Sequence, residues 1–362
     1  MRVAYVCYLS TLAESGVTRK LEAQISIWRE AGHDARLHVL APCRGAAPAR
    51  RLELERTGAS IVTFGSAARR LDATLALARG VRRSAPDVVH VRYDNFVPPL
   101  PLLLRDSLLV VDVNTHLGGE FRYRRTATRA YNAVHRRLVL ARAAGIVVAA
   151  RELRTEWAAT GKPCIVVANG YDLQSVQALP APPATERPRL VFLGEPSAWQ
   201  GVDKLAELAR LLPEVDVDVV GYAPSSLPGA PANVTCHGVL TRSEYEPLLA
   251  RADVAVGTLA LHRKAMKEAS PLKLREYLAY GLPALVAYED TDFPRPVPFL
   301  LQLPNEEDNI NAAEAQRVRE FVASWRGRRV ARDEVAHVDL RRKEEERLEF
   351  MHSLLRSRPA RT

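Results

Sequence analysis

Lysine is scarce in this chain: only seven of the 51 basic residues are lysine, and three of those, Lys264, Lys267 and Lys273, fall within ten positions. Cysteine is scarce too. Cys7, Cys43, Cys164 and Cys236 are scattered, with no C-x-x-C pair and no histidine at ligand spacing. That excludes a disulfide framework or a zinc knuckle, fits a reducing compartment, and gives a cytoplasmic protein as the expectation. Aromatic residues make up 6% of the sequence and do not interleave with basic ones, which argues against nucleic acid as a partner. No apolar run reaches the ~18–20 residues of a membrane span, and the most apolar stretch, LVLARAAGIVVAA, is interrupted by Arg142. The opening MRVAYVCYLS lacks the long apolar region of a signal peptide and reads as a first strand.

What is present describes a folded α/β protein. At 362 residues the chain exceeds one typical core, so two domains are expected. Its 47% hydrophobic and 26% charged content is that of a globular protein, and a net charge of +9 favours a polyanionic ligand without naming one. Short apolar runs alternate with amphipathic stretches. VAYVCYL precedes a helix carrying Leu21, Ile25 and Trp28 and stopped at Gly32. ARLHVLA, SIVTFG, a helix over 68–84, DVVHVRY, LLVVDVN, an Arg-rich helix around 122–143, GIVVAA and CIVVANG follow. Strand–helix alternation of this kind predicts a parallel sheet covered on both faces.

The proline-rich segment 173–188 breaks the pattern and is expected to be a linker. The alternation then restarts with RLVFLG, GVDKLAELARLLPE, VDVDVVG, NVTCHG, TRSEYEPLLARA, VAVGTLAL and PALVAY. The expected layout is therefore a Rossmann-like domain over 1–172 and a second Rossmann-like domain over 189–335. A helix over 336–362 is expected to pack back on the first domain. Two doubly wound domains facing each other across a cleft suit two substrates, because ligands of open α/β sheets bind at the carboxyl ends of the strands.

The segment KEASPLKLREYLAYG, 267–281, carries the most chemistry. Ser270-Pro271 predicts a helix start and Gly281 its stop, giving a helix over about 271–280. The first-turn N–H groups of such a helix form an anion site, with Arg263, Lys264, Lys267 and Lys273 close by in sequence. Glu268 and Glu276 lie on either side of that turn. A carboxylate can accept two hydroxyls, so each can grip a vicinal diol. Glutamate, anion site, glutamate matches ribose, diphosphate and hexose in a sugar nucleotide. The same pattern is also that of a capped surface helix with two solvated glutamates.

This segment, with its E-x7-E spacing, resembles the donor-site signature of the retaining GT-B glycosyltransferases of sequence family 4. Other segments resemble that family in the same order. They are PDVVHVRYD at 86–94, VVANGYD with Asn169, Gly170 and Asp172, LVFLGEPSAWQGVDKL with Gly194, and NVTCHGVLTRSEYEPLLARADVAV. The resemblance covers about 1–290 and implies a GT-B fold. It implies that Glu276 holds the ribose hydroxyls, that Glu268 holds the transferred sugar, and that main-chain groups of Ala269, Ser270, Pro271 and Leu272 hold sugar and β-phosphate. Gly238, Val239 and Leu240 would flank the base, and Gly16 would admit the diphosphate near the first strand. The donor would be a nucleoside-diphosphate sugar, UDP-linked, with no other cofactor and no metal. Where the family usually carries an arginine after the glycine and a lysine before the next glycine, this chain has Glu195 and Gln200. Arg263, Lys264 and Lys273 are the expected substitutes.

On the acceptor side, VVDVNTHLGGEF ends a strand with Asp112, Asn114, His116 and Glu120, and HVRYDNF contributes Arg92 and Asp94. The resemblance puts His116 near the reacting carbon; a loop histidine without such a role and a local Arg92–Asp94 pair are the alternatives. The acceptor would be a glycan, a lipid-linked sugar or a small natural product. The Arg-rich 122–142 segment could rest on the inner membrane face or be a solvated helix face. Two D-x-D pairs, Asp216/Asp218 and Asp290/Asp292, could be taken for metal ligands, but the resemblance implies no such metal. The competing functions are an inactive homologue serving as a ligand-binding partner subunit, motivated by Glu195 and Gln200, and a sugar-nucleotide epimerase or phosphorylase on the same fold.

Overall fold

The computed structural model describes residues 1–43, 48–66, 68–93, 104, 107–116, 126–183 and 186–358, with the side chains of 126–129 and 132 not described. The chain divides into two compact units. The first comprises Met1–Ala168 and Arg341–Thr362, the second Asn169–Leu340.

In the first unit the elements follow as β1 (Arg2–Tyr8), α1 (Gly16–Glu30), β2 (Asp34–Pro42), α2 (Pro48–Arg56), β3 (Ser60–Phe64), α3 (Arg70–Arg83), β4 (Val88–Arg92), β5 (Leu108–Val113), α4 (Thr126–Arg142), β6 (Ala143–Val148), α5 (Arg151–Ala158) and β7 (Cys164–Val166). Among the described residues the sheet order is β3-β2-β1-β4-β5-β6-β7, and its pairings are parallel. Strand order reverses between β1 and β4, the switch point of a doubly wound sheet. The strands are nearly continuous apolar runs because both faces are covered: Val110, Val111, Ile146 and Val147 are fully buried.

The second unit contains β8 (Arg189–Leu193), α6 (Val202–Leu211), β9 (Asp216–Val220), β10 (Val234–Cys236), α7 (Arg242–Arg251), β11 (Val254–Val256), β12 (Glu268–Ala269), α8 (Leu272–Ala279), β13 (Ala284–Val286), β14 (Glu289–Asp290), β15 (Leu300–Gln302) and α9 (Ala312–Trp325). Its main parallel sheet runs β10-β9-β8-β11-β13-β15, with a small separate pair β12-β14. The order reverses between β8 and β11.

The last helix, α10 (Leu340–Arg356), belongs from Arg341 onward to the first unit. Leu348, Met351 and Leu354 enter the same apolar cluster as Val3, Tyr5 and Trp28. A Cβ on Gly145 of β6 would come within 2.5 Å of Leu354 and 2.8 Å of Phe350, so the glycine in GIVVAA lets the helix lie against the strand. α10 also brings charge into the interior. Buried Glu344 accepts from Gln24 Nε2 at 2.8 Å, Trp28 Nε1 at 2.9 Å and Arg347 Nε at 3.1 Å. Arg347 Nη1 lies 3.4 Å from Asp112 Oδ1, and Tyr5 donates to Asp112 Oδ2 at 3.1 Å.

The segment 173–188 differs from the linker its prolines suggest, since its described residues are tied to the second unit. Leu179 N donates to Tyr280 O at 3.0 Å, Arg332 reaches Val176 O at 2.9 Å and Arg329 reaches Pro180 O at 3.2 Å. Arginines far along the chain satisfy carbonyls that prolines leave without a neighbouring donor. Residues up to Leu340 also stay with this unit, where Leu340 N donates to Tyr171 O at 2.9 Å.

Candidate functional site

The site is built around α8. Tyr277 on its inner face donates to Val256 O at 3.2 Å and accepts from Leu193 N at 2.7 Å, which pins the helix to β8 and β11 beside the switch point. Gly281, at φ 81°, closes the helix in a conformation only glycine adopts without strain.

The helix begins differently from the sequence expectation. Pro271, at φ −69° and ψ 137°, takes the N-cap position, and Ser270 provides no cap. Its hydroxyl instead accepts from Asn169 N at 2.8 Å and from Arg275 Nη2 at 2.9 Å. A fully buried guanidinium and a backbone N–H outcompete the helix for that oxygen. Pro271 has no N–H, so the first donors of the helix N-terminus are those of Leu272 to Leu274.

Arg275 organises the segment before the helix. It pairs with both oxygens of Asp290, at 3.0 and 2.8 Å, and with Asp292 at 3.0 Å, and donates Nε to Asn169 O at 2.9 Å. The D-T-D motif at 290–292 is thus an arginine anchor. Burial pushes the Asp290 carboxyl up, and Arg275 offsets this only in part because Asp292 stands beside it. Asp290 lies on β14, which pairs with β12 in the register Glu268↔Glu289 and Ala269↔Asp290. The strand carrying Glu268 is therefore held by the residue preceding Glu276. The other pair, Asp216 and Asp218, is likewise occupied: Asp216 by Arg187 at 2.7 Å, Asp218 by Arg251 at 2.9 Å and His237 at 2.6 Å.

Glu268 and Glu276 are both buried, at 5% and 6% exposure, which removes the solvated-glutamate reading. One oxygen of Glu276, Oε1, accepts from Tyr245 at 2.7 Å and from Tyr171 at 3.4 Å. Sequence reasoning did not single out either tyrosine, Arg275 or the link from Asn169 to Ser270. The order of motifs was their only local trace.

The cations divide sharply. Arg263 is occupied by Asp203 at 2.7 Å and Glu307 at 2.6 Å, and its guanidinium also donates to Ala198 O at 2.9 Å, so it braces loops instead of offering a free charge. Lys264 lies 4.2 Å over the Trp199 ring. Lys273 donates to Gln200 Oε1 and lies 3.9 Å over Phe192. Gly194, at the end of β8, passes so close that a Cβ there would stand 3.1 Å from the Lys273 ammonium. Glu195 is exposed, and Tyr222 donates to its carbonyl at 3.0 Å. In the turn after β10, Gly238 has φ 71°, Val239 is 90% exposed and Leu240 is half-buried.

In the first unit, Gly16 opens α1 behind a Ser15–Thr18 capping box. His116 Nε2 lies 3.5 Å from Glu156 on α5, which also pairs with Arg136 at 2.9 Å. Asn114 Nδ2 donates to Asp112 at 3.2 Å, and Arg92 sits opposite Asp112 in the β4–β5 register. Asp94, Glu120 and the Arg-rich residues 122–125 lie outside the described residues. No helix among those described is long and apolar enough to cross a membrane.

Two doubly wound parallel units define the GT-B fold, and the solved structures that resemble the chain carry it. They include HepE of Anabaena in complex with UDP and glucose, at 14% identity over 98% of this chain and 100% of that one, TM-score 0.69. Sucrose-phosphate synthase of Thermosynechococcus elongatus matches at 12% identity over 98% and 96%, TM-score 0.65. The lipopolysaccharide outer core galactosyltransferase WaaB matches at 12% over 97% and 100%, TM-score 0.65. Residues 15–175 match the family model described as Glycosyltransferase Family 4. Together these show that the chain has the GT-B fold and that its residues 15–175 are similar to that family. No curated protein matches it in sequence.

Proposed function

We propose that the chain is a retaining, metal-independent hexosyltransferase that takes its sugar from a nucleoside-diphosphate donor. The observation that carries this reading is the pair of buried glutamates bracketing the N-terminal turn of α8, each fixed by tertiary contacts. Glu276 accepts the ribose 2′- and 3′-hydroxyls; Tyr245 and Tyr171 orient its carboxylate. Glu268 accepts hydroxyls of the transferred sugar from β12. Main-chain groups of Ala269 to Leu272 and the helix N-terminus hold the sugar and β-phosphate. The exposed 238–240 turn receives the base. A UDP-linked donor is favoured by analogy with HepE, whose solved structures hold UDP and UDP-glucose.

The acceptor is a hydroxyl of a glycan, a lipid-linked sugar or a natural product, assigned to the first unit. The protein works in the cytoplasm, with the Arg-rich 122–142 segment its contact with the membrane face. In the transfer, the bond between the anomeric carbon and the leaving phosphate oxygen breaks. The acceptor oxygen bonds to that carbon on the same face, and its proton passes to the departing diphosphate. The protein's part is to stabilise the charge on that diphosphate.

The test is incubation with UDP-, GDP- and ADP-linked sugars and an acceptor panel, reading nucleotide release and the product's anomeric configuration by proton NMR. An α-linked donor is expected to give an α-glycoside with release of the nucleoside diphosphate. A β-product would overturn retention. Donor binding without release across the panel would establish the inactive-partner reading, and conversion to an epimeric sugar nucleotide the epimerase reading.

A further inference from the structure

Three features of Lys273 are individually unfavourable. It stands in the first turn of α8, where a cation opposes the helix dipole. Its side chain is half-buried, and desolvation alone pushes the ammonium well below the usual lysine range, with no carboxylate acting on it among the described residues. Of its three donors, one finds an acceptor, Gln200 Oε1, while the ring of Phe192 lies 3.9 Å away. Nearby Lys204, by contrast, has Glu307 at 3.1 Å and Glu207 at 3.3 Å. A half-buried cation with no carboxylate beside it among the described residues, at a helix terminus that itself attracts anions, is unfavourable in the free protein and suited to a bound anion.

Gln200 is the residue that stands where the resembling family has its lysine, and it is buried, held by Leu259 N donating to its carbonyl at 3.1 Å, with Thr258 Oγ1 3.5 Å from Oε1. The two side chains meet tip to tip beside Gly194, at the carboxyl end of β8. We infer that the diphosphate-binding cation has been transposed from the loop to the helix: Lys273 neutralises the donor's diphosphate, and Gln200, in the old position, aims the ammonium at it. This rests on the donor site proposed above and selects among the cations expected there, since Arg263 is committed to Asp203 and Glu307 and Lys264 lies over the Trp199 ring.

The test compares uridine, UMP and UDP by calorimetry in the wild-type protein, Lys273→Met and Lys273→Met/Gln200→Lys, with melting curves of each ligand-free protein. Lys273→Met is expected to weaken UDP at least ~30-fold, the scale of removing one partner of a buried charge pair. It should leave uridine unchanged and melt no lower than the wild type. The double variant returns the lysine to the loop and is expected to restore most of the UDP affinity. Unchanged UDP affinity in Lys273→Met overturns the inference, as does loss of uridine and UDP together with a lower melting temperature, or a double variant no better than the single. Failure of the wild-type protein to bind any nucleoside diphosphate overturns the donor-site reading itself, and is distinguishable because it precedes every mutant comparison.

Discussion

Arg275→Met is expected to destabilise the second unit by about 3–5 kcal/mol, the range for removing one partner of a buried ion pair. Methionine fills much of the volume, so the loss is electrostatic and not that of a cavity. Asp290 and Asp292 would lose the guanidinium they share, and both Ser270 and the carbonyl of Asn169 would lose a donor. The pH dependence separates this from simple misfolding. Without Arg275, burial and the facing Asp292 raise the folded-state pKa of Asp290 further above its unfolded value. A group raised in this way weighs least below the unfolded pKa and most above the folded one, so the deficit should shrink as pH falls from 7 towards 4. Denaturant titrations of wild type and variant across that range measure it; a deficit independent of pH would contradict the assignment.

The first unit is expected to be strongly acid-labile. His38, His90 and His135 are buried, and burial lowers them to about 4, 3 and 4 respectively. Their folded pKa values lie below the unfolded one, so their contribution is complete above about pH 6.5 and is lost as pH falls towards the folded values. Each unprotonated histidine steepens the decline by roughly 1.4 kcal/mol per pH unit, giving about 4 kcal/mol per unit for the three. Asp112 adds a later step. Burial raises its carboxyl, but Arg347 and Lys20 outweigh that and hold it below the usual carboxylate range. Its contribution therefore persists until pH falls past the unfolded carboxylate value. His90→Phe keeps a ring 4.9 Å from Tyr5 and 5.5 Å from Trp28, and should flatten the slope between pH 6 and 5 by about a third. An unaltered slope would show that His90 is not the buried neutral group assigned here.

The alternation was legible where a strand is an apolar run, as in β5, and where a helix repeats its buried positions, as in α1, both local signals; α2, which buries only Leu54, and the two-residue strands β12 and β14 carry no such signal. Gly281 was legible for the same reason: the stop is a property of one residue's φ. The start of α8 was not, because its outcome is tertiary. Ser270 reads as a cap until Asn169 and Arg275 compete for its hydroxyl, and Asn169 lies 101 residues away. The D-T-D motif was set aside as a metal pair, but its role as the anchor of Arg275 was not legible, because that pairing is tertiary. The proline-rich 173–188 segment looked free because its partners, Tyr280, Arg329 and Arg332, come more than a hundred residues later. At the site, the E-x7-E spacing gave the two carboxylates but nothing of what holds them. The missing arginine and lysine were visible as Glu195 and Gln200; which of three cations stands against Gln200 needed coordinates.

Nucleoside-diphosphate binding through Glu276 is what separates a donor site from a purely structural segment around α8. Calorimetric titration of UDP into the wild-type protein, Glu268→Ala and Glu276→Ala tests it most directly. The wild type is expected to bind, Glu268→Ala to change UDP affinity little, and Glu276→Ala to lose about 2–3 kcal/mol, roughly 30- to 150-fold, measured below the melting temperature of each protein. Equal UDP affinity in all three proteins would contradict it.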